Sequence, residues 1–232
     1  MNLCVIPARG GSKRISRKNI KEFNGKPIIA YSIEAALASN CFEEIIVSTD
    51  DGEIAEVAKE YGAQVPFMRP DELANDHAGT LPVIKHAVEW FEQNDIMPEC
   101  VCCLYATAPF VQSQMIQDAY TDLKDSEADY CFTVTRYAFP IQRAIKLTEN
   151  KRVEMFYPQY FNTRSQDLQE SYHDAGQFYW GKATAFKMEK SLFSNDASPF
   201  VLPRYLVQDI DTHEDWEQAE IMYQFLKQIG KI

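Results

Sequence analysis

Leu3-Cys4-Val5-Ile6-Pro7-Ala8-Arg9-Gly10-Gly11-Ser12-Lys13-Arg14-Ile15-Ser16-Arg17-Lys18-Asn19 is the stretch on which the reading of this chain turns. Its opening apolar run is compact and partly β-branched and ends at a breaker, the pattern of a buried strand. Pro7 removes a ladder donor, and Gly10-Gly11 permits a tight turn or a close approach to a ligand. Arg9, Lys13, Arg14, Arg17 and Lys18 then place five cations within ten positions of a chain whose formal net charge is -11. Glycine-rich backbone beside Arg and Lys groups suits a polyphosphate; the alternative is a solvated basic loop. Neither common phosphate fingerprint is present: G-x-x-x-x-G-K-[ST] lacks its first glycine, and G-x-G-x-x-G is absent.

Outward from this stretch, strand and helix patterns alternate. Pro27 sits at a first-turn position ahead of a helix over 28–37, and 44–48 reads as the next strand. Asp50, with Glu53 three residues on, reads as the cap of a helix that Gly62 closes after Tyr61. A short strand over 64–67 and a polar loop over 69–76 lead to a helix at 79–93, where Leu81, Ile84, Val88 and Phe91 share a face. Residues 100–104 form a central strand, followed by a helix over 112–123 and a strand over 129–135. Segments 177–180 and 205–208 read as the last strands. A final helix over 213–229 starts at a Thr212/Asp215 capping box and carries a stripe of Trp216, Ala219, Tyr223 and Leu226. The alternation predicts an α/β fold with a mostly parallel sheet in a single domain, 1–232. Its rhythm breaks over 137–172, an aromatic excursion without a clean period that reads as an association surface or a lid.

Composition bounds the function. With 232 residues, 46% hydrophobic and 25% charged, the chain has the make-up of a globular protein with a good core. Its acidic balance argues against non-specific nucleic-acid or anionic-membrane binding. No apolar run has the length of a membrane span, and no signal-peptide pattern opens the chain, so a cytoplasmic location is expected. Cysteines fall at 4, 41, 100, 102, 103 and 131. The 100–103 group lies in an apolar run with no second Cys/His pair, so it reads as buried thiols rather than a zinc site or a disulfide framework.

Two further segments carry chemistry. Asp209-Ile210-Asp211 precedes the last helix, and alternate residues on extended backbone can turn both carboxylates to one ion. Hard oxygen ligands together with phosphate oxygens are how Mg2+ is held, whereas a favourable helix dipole explains the same acids without metal. Leu104-Tyr105-Ala106-Thr107-Ala108-Pro109-Phe110 follows the central strand, at the rim where open α/β sheets bind ligands.

Pro7 to Lys13, followed by Lys18-Asn19, resembles the signature of the cytidylyltransferases that activate acidic sugars with CTP, the CMP-sialic-acid synthetase group. The resemblance implies a Rossmann-like three-layer nucleotidyltransferase fold, a homodimer joined through 137–172, and an Mg2+ site at Asp209 and Asp211. It implies triphosphate binding by Ala8, Arg9, Gly10, Gly11, Ser12 and Lys18, with Ser12 acting largely through its backbone. Asn19 and Arg69, the latter in an R-P-x-x-L-A-x-D loop, match positions on the base and ribose side. Arg9, Lys18 and Asp211 are the implied catalytic groups. Where the sialate enzymes read approximately L-Q-P-T-S-P, this chain has Tyr105 for the Gln and Ala108 for the Ser. A phenol offers apolar area and one hydroxyl in place of an amide. With Ser171-Tyr172-His173-Asp174-Ala175-Gly176-Gln177-Phe178-Tyr179-Trp180-Gly181, this departure resembles the branch of the family that acts on pseudaminic acid, a nonulosonic acid less polar than sialic acid. Tyr105, Thr107, His173, Gln177 and Tyr179 are then the expected sugar contacts. His173 has two other readings, proton transfer and a bond to Asp174, while Phe178 and Trp180 stand open between core and ligand. The expected reaction joins CMP to the sugar's anomeric hydroxyl with release of pyrophosphate, a donor for surface or flagellin glycosylation. Alternatives are the same reaction on legionaminic acid, N-acetylneuraminate or another ulosonate, a nucleotidyltransferase using UTP or GTP, and a non-catalytic nucleotide-binding module.

Overall fold

Two central strands, Asn2–Pro7 and Cys100–Leu104, have nearly every residue buried, and the sheet is assembled around them. The computed structural model describes residues 1–75 and 78–232; Asp76, the end of the polar loop, lies outside the described residues. In chain order the strands are β1 (Asn2–Pro7), β2 (Glu22–Phe23), β3 (Lys26–Pro27), β4 (Glu44–Ser48), β5 (Cys100–Leu104), β6 (Tyr130–Arg136), β7 (Ile145–Leu147), β8 (Val153–Met155), β9 (Tyr172–Lys182) and β10 (Ala197–Leu202). The helices are α1 (Ile28–Ser39), α2 (Gly52–Glu60), α3 (Thr80–Gln93), α4 (Ser113–Asp125), α5 (Ala183–Lys187) and α6 (His213–Gln228).

The six-stranded sheet has the order β10-β6-β9-β5-β1-β4. β1 runs parallel to both β4 and β5, and β10 parallel to β6. β9 is antiparallel to β5 and β6, so the sheet is mostly parallel as expected. Strands buried on both faces read as continuous apolar runs, which is why β1 and β5 are legible. One core joins Ile29 and Ile33 of α1, Ile54 of α2 and Ile116 of α4 to one sheet face. A second joins Ile84, Val88 and Phe91 of α3 and Phe186 of α5 to the other, giving three layers. Phe178 and Trp180 are fully buried in the first core, which resolves their reading in favour of packing. A third cluster docks α6 through Trp216, Ala219 and Leu226 on Phe23, Ile28 and Tyr31.

Several elements differ from expectation. Residues 64–67 form no strand: Gln64 makes an isolated bridge with Ile46 of β4, and the next bridge, Met68 with Thr49, lies beyond both segments, because Pro66 between them has no N–H with which to continue a ladder. Residues 205–208 are not a strand. Pro203 starts a tight turn in which the Leu206 N–H bonds the Pro203 carbonyl, and β10 has already taken the place beside β6. β10 escapes sequence pattern because it contains Pro199, which is tolerated on this edge strand. Asp51, one residue after the expected Asp50, caps α2 by accepting the Ile54 N–H at 3.0 Å. The Thr212/Asp215 capping box of α6 is present as read. Within 137–172 lie the exposed two-stranded β7–β8 sheet and several short turns, and this excursion is the long connection between the antiparallel pair β6 and β9. All six cysteines are free, five of them buried, and burial raises the Cys4 and Cys102 thiols well above their ordinary range. No helix among the described residues is long and apolar enough to cross a membrane.

Gly181 lies where β9 crosses Tyr130 and Phe186. A Cβ there would sit 2.8 Å from Phe186 Cε2 and closer still to the Tyr130 ring. Gly181→Ala is expected to destabilise the fold by about 1–3 kcal/mol through overpacking, read as a lower urea midpoint with an unchanged slope.

Candidate functional site

The β1–β4–β5 end of the sheet opens into a cleft of about 370 Å³ whose lining includes Arg9, Ser12, Lys13, Arg14, Lys18, Asn19, Arg69, Thr80, Tyr105, Thr107 and Asp211. The loop after β1 forms one wall. The Ala8 N–H bonds the Ser48 carbonyl at 2.9 Å, which carries the β1–β4 pairing to the start of the loop. Gly10 then passes close to β4's exit: its N–H donates to Asp50 Oδ1 at 3.0 Å, and a Cβ on it would meet the Asp51 carboxylate at 2.7 Å. The glycine is therefore required by Asp51. Its N–H, and that of Ser12, which bonds the Gly10 carbonyl, are used within the protein rather than held open for a phosphate. Ala8 is fully buried, and neither it nor Gly10 and Gly11 line the cleft, so side chains dominate this wall.

Arg17 leaves the cation group. In a left-handed conformation, it forks onto Asp51 and also reaches Glu53, away from the cleft. Lys18 turns inward. Its ammonium donates to the Ile210 carbonyl at 2.8 Å and approaches Asp211 Oδ1 at 3.3 Å, while Arg14 bonds Asp211 Oδ2 at 2.8 Å. The Asn19 amide holds the Arg9 carbonyl at 2.9 Å and thus shapes the loop as well as lining the cleft. Arg69 is 6% exposed. Its guanidinium donates to Ser48 Oγ at 3.1 Å and to the Ser48 carbonyl, neutral oxygens rather than a carboxylate. Burial pulls its pKa down to about 10, with Asp50 opposing and nearby Arg9 adding to the fall. The N-cap of α3, Gly79, supplies no side-chain cap, and with Thr80 it brings the partial positive charge of the helix start to the same space.

The opposite wall is aromatic. Tyr105 Oη and Thr80 Oγ1 share a hydrogen bond of 2.9 Å, and burial pushes the Tyr105 phenol up to about 12. Behind it stands Tyr179, ring centres 5.5 Å apart, its hydroxyl donating to Asp174 Oδ2 at 2.6 Å. Thr107 joins Tyr105 in the lining. Three expected sugar contacts do not: Tyr179 and Gln177 are 3% and 2% exposed, and His173 bonds its neighbour's carbonyl while packing on Tyr137. Sequence reasoning missed Thr80, Ser48 and Asp50, whose roles are to hold other site residues and leave no local pattern.

Asp209 and Asp211 follow a turn rather than a strand, yet they come close enough to influence each other. Lost hydration and then the charge of Asp211 raise the Asp209 carboxyl. Asp209 makes no hydrogen bond or ion pair with a described residue. Among the described residues no group of three or more His, Cys, Asp or Glu forms a cation site. Asp211 lines the cleft and Asp209, two residues before it, does not; a carboxylate pair of this kind is the donor set a hard divalent cation such as Mg2+ takes, with phosphate and water completing its shell.

A protein-family model described as cytidylyltransferase matches residues 3–227. Pseudaminic acid cytidylyltransferase of Campylobacter jejuni subsp. jejuni serotype O:23/36 (strain 81-176) is 49% identical over 222 residues, 96% of each chain. CMP-N,N'-diacetyllegionaminic acid synthase of Legionella pneumophila subsp. pneumophila is 34% identical over 221 residues, 94% of each. Among solved structures, CMP:2-keto-3-deoxy-manno-octonic acid synthetase complexed with CTP matches with a TM-score of 0.68 over 97% of this chain and 99% of that one. At 18% identity, that likeness is one of fold.

The Arg17–Asp51 pair beside the cleft gives a pH signature. Arg17 holds the Asp51 carboxyl below its ordinary value, helped by the Ile54 N–H. The resulting stability is fully present above the unfolded carboxylate value of about 4 and is lost as pH falls through the lower folded value. Asp51→Asn should therefore melt below the wild type at pH 7, with the gap closing under acid conditions, as followed by thermal melts across pH.

Proposed function

Because the chain belongs to the cytidylyltransferase family, we propose that it transfers CMP from CTP to the anomeric hydroxyl of pseudaminic acid and releases pyrophosphate. The observation that carries this reading is the charge of the cleft. Among the described residues, Arg9, Lys13, Arg14, Lys18 and Arg69 line it beside the carboxylate of Asp211, in a chain of net charge -11. Buried Arg69, bonded to neutral oxygens, adds positive potential that an anionic ligand would relieve. A triphosphate supplies that anion.

In the proposed reaction the anomeric oxygen forms a bond to the α-phosphorus as the bond from that phosphorus to the bridging oxygen breaks. Pyrophosphate departs in line with the attack, and the hydroxyl proton passes to solvent. Arg9 and Lys18 bind the phosphates and stabilise charge on the transferring group. Asn19 and Arg69 form the base and ribose end. Asp209 and Asp211 hold Mg2+, which supplies charge neutralisation on the triphosphate when bound. For Asp211 to serve, its bonds to Arg14 and Lys18 must give way, and the incoming phosphates offer those cations a replacement partner.

Two lines favour pseudaminic acid over its relatives. A cytidylyltransferase named for that sugar is 49% identical, against 34% for one named for diacetyllegionaminic acid. The wall opposite the cations is built on Tyr105 with its hydroxyl engaged by Thr80, so it offers a ring face to a less polar acid. The excursion over 137–172 presents Phe139, Leu147 and Phe161 at 82%, 76% and 70% exposure, a surface suited to a second copy of the chain.

Pyrophosphate release from CTP with Mg2+ is expected to be fastest with pseudaminic acid when legionaminic and N-acetylneuraminic acids are tested beside it. Faster turnover of another sugar would move the substrate, and silence with all three would remove the transferase reading. Asp211→Ala should stay folded and lose about 10²-fold or more in turnover, the scale for removing one electrostatic group. Unchanged turnover at limiting Mg2+ would sink the metal assignment. By light scattering, the wild type should have the mass of a dimer and Phe139→Asp that of a monomer.

A further inference from the structure

Gln177 stands behind the cleft at 2% exposure, and it connects two of its walls. Its backbone carbonyl accepts the Tyr105 N–H at 2.8 Å, just beyond the end of the β5–β9 pairing. The Tyr105 carbonyl is held from the other side by Ser32 Oγ at 2.7 Å, so the backbone of this wall is fixed at both groups. The Gln177 side chain reaches the other way, with Nε2 donating to the Leu206 carbonyl. Its Oε1 is buried without a partner among the described residues. An amide used through its donor alone is engaged for that donor.

Leu206 begins the irregular run that ends in Asp209 and Asp211. The last strand of the sheet stops at Leu202, so no ladder supports this run. Leu206 and Ile210 are buried at 4% and 2%, the Ile210 carbonyl is held by Lys18, and the Asp211 N–H bonds Asp215 at 3.1 Å. These contacts secure the far end of the run, while the bond from Gln177 secures its start to a central strand.

We propose that Gln177 is a positioning residue for CMP transfer. It fixes the Tyr105 wall and the Asp209–Asp211 run to one strand, so that acceptor and carboxylates meet in a single geometry. The role rests on the transferase reading given above. It replaces direct sugar contact as the function of this residue.

Gln177→Met keeps the length of the side chain and removes the donor; Gln177→Leu removes the donor with a branched apolar side chain. Both should raise amide hydrogen exchange within 204–211 while leaving β5 and β6 protected. Both should lower kcat at least ten-fold with KM for CTP within two-fold of wild type, because Arg9 and Arg69 are untouched. Unchanged exchange in 204–211, or unchanged kcat in either folded variant, would overturn the proposal. So would losses that raise exchange across the whole sheet and shift kcat and KM together. Wild-type protein that releases no pyrophosphate, while the variants still loosen 204–211, would overturn the transferase reading and the positioning role with it, leaving a structural tether.

Discussion

The Lys18 ammonium donates to the Ile210 carbonyl and faces the Asp211 carboxylate, joining residues 192 and 193 positions apart. The site exists because of this contact. On one side stands a loop crowded with cations, on the other a pair of carboxylates in which lost hydration, and then the charge of Asp211, raises the Asp209 carboxyl. Each group is electrostatically uncomfortable alone, and together they shape the cleft. The sheet makes the meeting possible. β1 is a central strand that delivers the basic loop at its end, and α6 packs through Trp216 and Ala219 on Phe23 and Tyr31, which follow that loop.

Around this contact the end of β4 acts as a brace. Ser48 receives the Ala8 N–H and the Arg69 guanidinium, Asp50 receives the Gly10 N–H, and Asp51 receives Arg17 and the first turn of α2. Ser48 and Asp51, three residues apart at one strand end, thus divide two of the local cations between them. Arg17 is neutralised at the rim, while Arg69 is kept buried and bonded to neutral oxygens. A cleft lined by several cations in an acidic protein favours small polyanions over extended nucleic acid, because the remaining surface repels the latter.

The pattern in the chain revealed much of this and misled in identifiable places. Residues 44–48 and 100–104 were legible as strands because continuous apolar runs mark burial on both faces. The Thr212/Asp215 box was legible because capping is a local bond. Pro66 and Pro203 defeated two expected strands, and Pro199 concealed a real one, since a missing N–H matters only according to where the neighbouring strand lies. Asp50 and Asp51 are adjacent and chemically alike, so only the path of the Gly10 backbone decides which one caps α2. In the site, Arg9, Lys18, Arg69, Tyr105 and Asp211, drawn from separate motifs, line one cleft. Gln177 and Tyr179 share a motif with the ligand-side residues yet lie behind them, because β9 turns them into the packed interior.

By itself the sequence determined the α/β alternation, the two buried parallel strands, the basic loop and the downstream carboxylates. All of these are properties of neighbours in the chain: apolar period, β-branching, charge density, capping spacing. Tertiary structure alone decided that β9 enters antiparallel, that Arg17 is withdrawn from the cleft while Arg14 and Lys18 reach Asp211, and that Gln177 holds Leu206 instead of facing solvent. Those outcomes depend on which distant backbone groups arrive beside a given side chain, and the packing of helices on both faces of the sheet sets that arrival.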